Sequence, residues 1–312
     1  AEWGLDHRLR ERLRARLAQE RGYYRYPAGA RTRFALVYPN TYFVGMSNLG
    51  LHIVYALLNG RSDTACERVF LPDRDEMPRY VRTNTPMMSV ETQTPLADFA
   101  IVGFAISFEM DYFHVAEMLA RSHITLLSAD RTAHDPLVIA GGPCATFNPE
   151  PLAALIDAFV IGEGEAILPA MMDAYHAGLH AGDDRAALLQ RLSHIPGVYV
   201  PALYTPAYDA AGHLTALLPQ AGAPSRVARQ WVEDLDAHPA HTVVITDDTE
   251  FSFYLIETAR GYGRHCRFCM AGYCFRRPRN RSLAVIEGEV RDALAYGKKI
   301  GLMGAAISDY PE

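Results

Sequence analysis

Cys266 and Cys269 stand three positions apart in Glu257-Thr-Ala-Arg-Gly-Tyr-Gly-Arg-His-Cys-Arg-Phe-Cys-Met-Ala-Gly, directly after the apolar run at 251–256. Two thiolates so spaced can grip one iron–sulfur cluster or one zinc ion. Cys274 follows after four intervening residues and could supply a third thiolate if the loop were re-routed. A zinc site could add His265, although His265 and Cys266 are adjacent and would have to bend onto one tetrahedral ion. A redox Cys-x-x-Cys is a further alternative, since the pair follows a strand, but a thioredoxin-like arrangement would put these thiols in a different sheet context. Around the thiols, Arg260, Arg264, Arg267, Arg276, Arg277, Arg279 and Arg281 form a basic run with no acid between Thr258 and Ile286. Such a run faces either an anionic substrate or solvent.

The elements that must position this loop are legible as periodic apolar runs. Leu5, Leu9, Leu13 and Leu17 recur at helical spacing, so the first 20 residues read as an amphipathic helix packed on a larger body. Phe34-Ala-Leu-Val-Tyr-Pro reads as a buried strand ended by Pro39, with a helix over 47–58. Strands over 67–71, 99–107, 137–140 and 158–161 then alternate with helical stretches around 116–121 and 166–177. This alternation predicts parallel β-α-β units in a doubly wound α/β sheet, whose ligands sit beyond the strand carboxyl ends. Runs at 198–208 and 213–218 flank Asp209-Ala-Ala-Gly, a hairpin signal, and 220–226 reads as a linker. After the strand at 251–256 come the cysteine loop, a helix over 283–296 and a strand over 300–304, the opening of a β/α barrel.

Three segments fall at the strand ends. Asn40, Ser47 and Asn48 lie in Tyr38-Pro-Asn-Thr-Tyr-Phe-Val-Gly-Met-Ser-Asn-Leu-Gly. Gly141, Gly142 and Pro143 open a second, and Gly162, Glu163, Gly164 and Glu165 form the third. Paired glycines there let the backbone approach a bulky ligand and present N–H groups to phosphate, and they equally suit tight turns. No G-x-G-x-x-G follows the first strand and no G-x-x-x-x-G-K-[ST] occurs, which demotes dinucleotide and P-loop nucleotide binding.

The cysteine stretch resembles the cluster loop of radical S-adenosylmethionine (radical SAM) enzymes, which carry C-x3-C-x2-C behind a Glu-x-x-Arg-Gly strand end. Cys266 and Cys269 match the second and third cysteines, and Tyr262 stands at the position of the first. Such a loop implies a [4Fe–4S] cluster on three thiolates, with SAM chelated by the fourth iron. A neutral phenol with a pKa near 10 is a poor substitute for a thiolate on iron, so the unmodified chain is expected to assemble little cluster. Gly301-Leu-Met-Gly-Ala-Ala-Ile-Ser-Asp-Tyr is similar to the family's second barrel strand, which implies that Gly304 and Ala305 approach SAM.

Over residues 33–180 the three strand-end segments resemble the cobalamin-binding domain that precedes the radical SAM domain in one enzyme class. That resemblance implies a corrinoid on the strand ends, contacted from Asn40, Ser47 and Asn48, with its nucleotide tail near Gly141, Gly142, Pro143 and Gly162 to Glu165. The D-x-H-x-x-G sequence that supplies an axial histidine in another corrinoid class is absent, and His52 and His114 lie in apolar helical patterns. The expected organisation is an N-terminal extension (1–32), a Rossmann-like cobalamin-binding domain (33–195), a linker with a hairpin (196–250) and an incomplete radical SAM domain (251–312).

The implied activity is cobalamin-dependent radical SAM chemistry, with methyl transfer to an unactivated carbon and an electron donor such as flavodoxin or ferredoxin. A non-catalytic corrinoid-binding module and a zinc-binding loop protein are the alternatives. An eight-unit barrel takes about 250 residues and a six-unit one about 190, so residues 251–312 are expected to stop one and a half units in, leaving the chain inactive alone.

Composition sets the bounds. The chain has 312 residues, 49% hydrophobic and 21% charged, enough for two domains. Five cysteines, three within nine positions, favour metal or cluster chemistry in a reducing compartment over a disulfide framework. With no apolar run of about 20 residues and no signal-peptide core, a cytoplasmic location is expected. A net charge of −6 gives no global reason to bind nucleic acid. Lys298 and Lys299 are the only lysines, so arginine richness reflects codon bias and single arginines carry little weight.

Overall fold

The computed structural model describes residues 4–220 and 222–311. Positions 1–3 of the expected N-terminal extension, Ala221 of the expected linker and Glu312 of the last segment lie outside them.

The leucine stripe forms helix α1 (His7–Leu17), capped by Asp6, whose side chain accepts from the Leu9 amide at 3.1 Å. Leu9 and Leu17 are buried on the body of the protein, as the stripe predicts. β1 (Thr32–Thr41) follows, then the short α2 (Tyr42–Gly45) and α3 (Leu49–Asn59), β2 (Thr64–Leu71), α4 (Met77–Thr83), β3 (Ile101–Ala105) and α5 (Asp111–Arg121). β4 (Leu137–Gly141), α6 (Pro143–Phe147), β5 (Ala158–Val160), α7 (Gly164–Ala181), α8 (Arg185–Ser193) and β6 (Val198–Tyr199) complete a six-stranded sheet in the order β2-β1-β3-β4-β5-β6.

The first five strands are parallel and β6 is antiparallel to β5. Alternation along β1 sorts the core into two layers. Phe34 and Leu36 join α3 and α7 on one face, while Ala35 and Val37 join α5 on the other. This is a mixed α/β architecture with a parallel sheet covered on both sides.

Several boundaries differ from the sequence expectation. Pro39 does not end β1, because β3 stops pairing at Val37, and beyond it the strand continues through an irregularity against β2 alone. A missing N–H is tolerated where no ladder partner is waiting on that side. The run at 198–208 divides at Pro201: β6 joins the main sheet, and β7 (Tyr204–Tyr208) pairs with β8 (Leu214–Pro219) as the hairpin. Helices α4 and α8, too short and too weakly periodic to read, were absent from the expectation.

Beyond the hairpin, β9 (Tyr254–Glu257) begins three residues later than expected, since Phe251 and Phe253 remain partly exposed while the Glu250 amide donates to Ser47 Oγ at 2.9 Å. β10 (Ala259–Arg260), α9 (Ala271–Cys274), β11 (Arg279–Asn280), α10 (Leu283–Leu294) and β12 (Ile300–Met303) follow. β12 lies parallel to β9 with α10 packed on the pair through Ile286 and Ala293, one β-α-β unit. No helix among the described residues is long and apolar enough to cross a membrane.

The segment between the two units is held closely. The Arg21 amide donates to the Ile245 carbonyl at 3.0 Å, and Ser47 Oγ lies 2.8 Å from Thr249 Oγ1. His52, buried in α3, donates from Nε2 to the Met46 carbonyl at 3.1 Å and accepts at Nδ1 from the amides of Val243 and Val244 at 3.3 and 3.4 Å. Those partners fix its neutral tautomer, and burial pulls its pKa down to about 4.

Candidate cofactor cleft

A cavity of about 380 Å³ runs from the carboxyl ends of the parallel strands down between the sheet and helices α3 and α7. Its floor is apolar, built from Phe34, Leu36 and Ile139, with Leu51, Val54 and Leu168 opposite. Ligand sites in doubly wound sheets lie at this edge, and the order β2-β1-β3 places the switch point between β1 and β3, both of which line the cavity.

Eight of the ten strand-end residues singled out from the sequence line it: Asn48, Gly141, Gly142, Pro143, Gly162, Glu163, Gly164 and Glu165. Their glycines differ in purpose. Gly142 has φ 99° and a Cβ there would lie 2.6 Å from the Ile106 carbonyl oxygen, so the turn itself requires glycine. At Gly162, φ 130° and a Cβ 2.0 Å from the Gln230 carbonyl oxygen show that the connecting segment, and not a ligand, needs the close approach. Gly141 is different, because a Cβ would meet only Val160 at 3.5 Å, so its missing side chain chiefly leaves room in the cavity.

The other two lie elsewhere. The Asn40 amide donates to Asp111 Oδ1 at 3.0 Å while its oxygen accepts from the Thr41 amide at 2.8 Å, and Ser47 belongs to the joint with Thr249. Asn48 Oδ1 caps α3 at the Leu51 amide, 3.1 Å away, and its Nδ2 donates to Ser107 Oγ at 3.1 Å. No histidine lines the cavity among the described residues; His114 instead donates from Nδ1 to the Pro39 carbonyl at 2.8 Å.

The wall opposite the glycine loops comes from the second unit, through Glu257, Arg260, Phe275, Arg276 and Arg279, and from Arg229 of the connecting segment. Arg260 donates to Glu165 at 2.8 Å, to Glu163 at 3.1 Å and to Glu257 at 2.8 Å. Arg279 donates to Glu163 at 2.6 Å, and Arg281 to Glu257 at 2.7 Å. Three carboxylates and three guanidiniums therefore interlock the Gly-Glu-Gly-Glu loop with the Glu-x-x-Arg strand end. Burial opposes the Glu163 charge, yet Arg279 and Arg260 hold its carboxyl below the usual range. Burial likewise opposes the Arg260 charge, and its carboxylate partners raise its pKa further above the ordinary value.

The basic run divides: Arg264, Arg267, Arg276 and Arg277 are exposed, as the solvent reading expects, whereas Arg260, Arg279 and Arg281 are withdrawn and fit neither reading. Arg260, Arg279 and Arg281 face neither solvent nor an unpaired anion, because Glu163, Glu165 and Glu257 neutralise them. Arg264 pairs with Asp309 and Arg277 with Glu233 at the surface. No sequence signal pointed to Arg229, one arginine among many in a connecting segment.

The cysteine loop packs beside this wall. The Tyr262 hydroxyl lies 3.2 Å from Cys266 Sγ, and that contact raises the pKa of the phenol. The Cys269 amide donates to the Cys266 carbonyl at 3.2 Å, and Cys274 ends α9. Neither Cys266, Cys269 nor Cys274 lines the cavity. Gly304 sits against Thr258 Oγ1, 3.1 Å from a Cβ added there, beside the strand end; neither Gly304 nor Ala305 lines the cavity.

Residues 50–201 match the family model of radical SAM proteins, N-terminal. The match supports the radical SAM family, and it spans the sheet from α3 to β6 and the turn after it. An uncharacterized protein of Methanocaldococcus jannaschii is 21% identical over 282 residues, 88% of this chain and 50% of that relative. The chain thus spans about half the length of the curated relative it matches.

The radical SAM family implies SAM and an iron–sulfur cluster, so the donor set can be tested. Among the described residues no group of three or more His, Cys, Asp or Glu side chains is gathered to hold a metal ion. Cys274 is not gathered with Cys266 and Cys269 into such a group, and Tyr262 stands where the resemblance would put the first thiolate. The loop as it stands fits neither a three-thiolate cluster nor the zinc site considered from the sequence.

Proposed function

We propose that this chain is the corrinoid-holding unit, with the opening β-α-β unit of the SAM barrel, of a cobalamin-dependent radical SAM enzyme. The observation that carries the reading is the apolar cavity at the carboxyl edge of five parallel strands, walled on its far side by the strand end that leads into the cysteine loop. A whole corrinoid is far larger than this space, so the nucleotide tail enters between α3 and α7 and the ring rests at the strand ends. Gly141 leaves the room the tail needs, and a cavity lined by no histidine among the described residues suits cobalt with no protein imidazole. Bound cobalamin supplies a methyl carrier. The chain's own residues hold and orient it: the glycine loops grip the tail, and the Arg260 network sets the cysteine loop over the strand ends.

A second reading, a non-catalytic corrinoid-binding module, is favoured by the Tyr262 contact with Cys266. In the catalytic reading methyl transfer to an unactivated carbon is the proposed outcome, with reduction by a flavodoxin or ferredoxin. No cluster step is assigned to this chain.

The test is retention of hydroxocobalamin through gel filtration by the purified chain, with about one corrinoid per chain expected. The cobalt(II) form should show no change in nitrogen splitting when the protein carries ¹⁵N-histidine. Gly141→Leu, which fills the cavity at a residue whose backbone tolerates a side chain, should abolish retention. A chain that retains no corrinoid, or a splitting that follows the histidine label, overturns the proposal.

A further inference from the structure

Three carboxylates and four arginines line the cavity, and their pairing is uneven. Glu163, Glu165 and Glu257 are consumed by Arg260 and Arg279, with Arg281 behind them. Arg229 and Arg276 have no carboxylate partner among the described residues. Arg229 Nη1 donates to the Cys274 carbonyl, its guanidinium lies 5.8 Å from the centre of the Phe275 ring, and its buried Nε has no hydrogen-bond partner. Arg276 Nε donates to the Gly272 carbonyl at 2.7 Å and its Nη2 meets His265. Two cations without a carboxylate partner therefore stand on the charged wall that faces the apolar floor, Arg276 exposed to solvent and Arg229 with a buried donor unused, and together they suit one anionic group.

We propose that Arg229 and Arg276 grip the phosphodiester of the corrinoid's nucleotide tail and thereby tie the bound ligand to the cysteine loop. This rests on the corrinoid reading of the cavity and adds to it the chemistry of recognition. An amphipathic tail suits the space, with a heterocycle against Phe34 and Leu36 and a single negative charge at the arginine wall. Both arginines hold carbonyls of residues 272–274, so an anion that orders their guanidiniums also orders α9 and the loop behind it. Arg260 and Arg279 cannot serve, because their charge is already met by carboxylates.

The experiment compares hydroxocobalamin with aquohydroxocobinamide, which has the same ring but no nucleotide tail and no phosphodiester. The unmodified chain should bind cobalamin at least tenfold more tightly than cobinamide. Arg229→Gln and Arg276→Gln keep a donor for the loop carbonyls while removing the charge. Each should weaken cobalamin binding about tenfold, as loss of a charged hydrogen bond does, and leave cobinamide unchanged. Arg277→Gln, paired with Glu233 outside the cavity, should change neither. Amide hydrogen exchange across residues 262–276 should slow on adding cobalamin and not on adding cobinamide. Equal weakening of both corrinoids, or of neither, sinks the phosphate assignment while leaving corrinoid binding intact. Failure of the unmodified chain to bind either corrinoid sinks the underlying reading and this one with it.

Discussion

Arg260 Nη2 donates to Glu165 Oε1 at 2.8 Å across 95 positions of sequence, joining the loop that opens α7 to the strand end that opens the cysteine loop. Arg260 is the one ion-pair partner of Glu165 among the described residues, while Arg260 itself is shared with Glu163 and Glu257. Both are largely withdrawn from solvent, so the pair is held by geometry and by its neighbours Glu163 and Glu257.

Removing one member leaves buried charge uncompensated. Arg260→Gln should cost about 3 kcal/mol in denaturant unfolding, and Arg260→Gln with Glu165→Gln should cost less than the sum of the two single changes by about 2 kcal/mol. Additive losses would show that the pair is not coupled. Acid should weaken the same joint. Glu163 is held below its ordinary value of 4.5, so the unfolded chain takes up a proton before the native one does. Its contribution is full above pH 4.5 and fades as pH falls through the native value. Glu163→Gln should therefore flatten the acid limb of the stability profile.

His52 gives a second pH signature with a different window. Its native pKa of about 4 lies below the ordinary 6.5, so between these values the unfolded state binds the extra proton. Stability should rise as pH increases from about 4 to 6.5 and level off above, a span worth about 3 kcal/mol. His52→Gln should remove most of that rise, measured as urea midpoints across the range. An unchanged profile would mean that another group carries it.

Tyr262 supplies a hard, protonated phenol where the family's first cluster ligand is a soft thiolate. Anaerobic reconstitution of the unmodified chain should yield well under four irons per chain, and Tyr262→Cys should raise iron and sulfide sharply. Cys266→Ala in that background should abolish the gain. Near four irons in the unmodified chain, lost in Cys274→Ala, would instead make Cys274 the third ligand. Iron unchanged by Tyr262→Cys, with stoichiometric zinc, would replace the radical SAM reading of the loop.

The parallel core and the thiol spacing were determined by the sequence itself, because both are local. The apolar run from Phe34 and the alternating elements to Val160 follow from period and turn chemistry over a few residues. The departure at Tyr262 was equally visible. Only the tertiary structure decided which of the marked residues meet. Asn40 and Ser47 carry the same polar chemistry as Asn48, yet one is consumed by Asp111 and the other by Thr249, partners 71 and 202 positions away. Gly162 reads as a ligand loop until Gln230 is seen against it. The arginine run carries no mark that separates Arg260, locked between three carboxylates, from Arg276 at the cavity wall. Partner choice for a charge depends on what the fold brings within about 3 Å, and no periodicity encodes that.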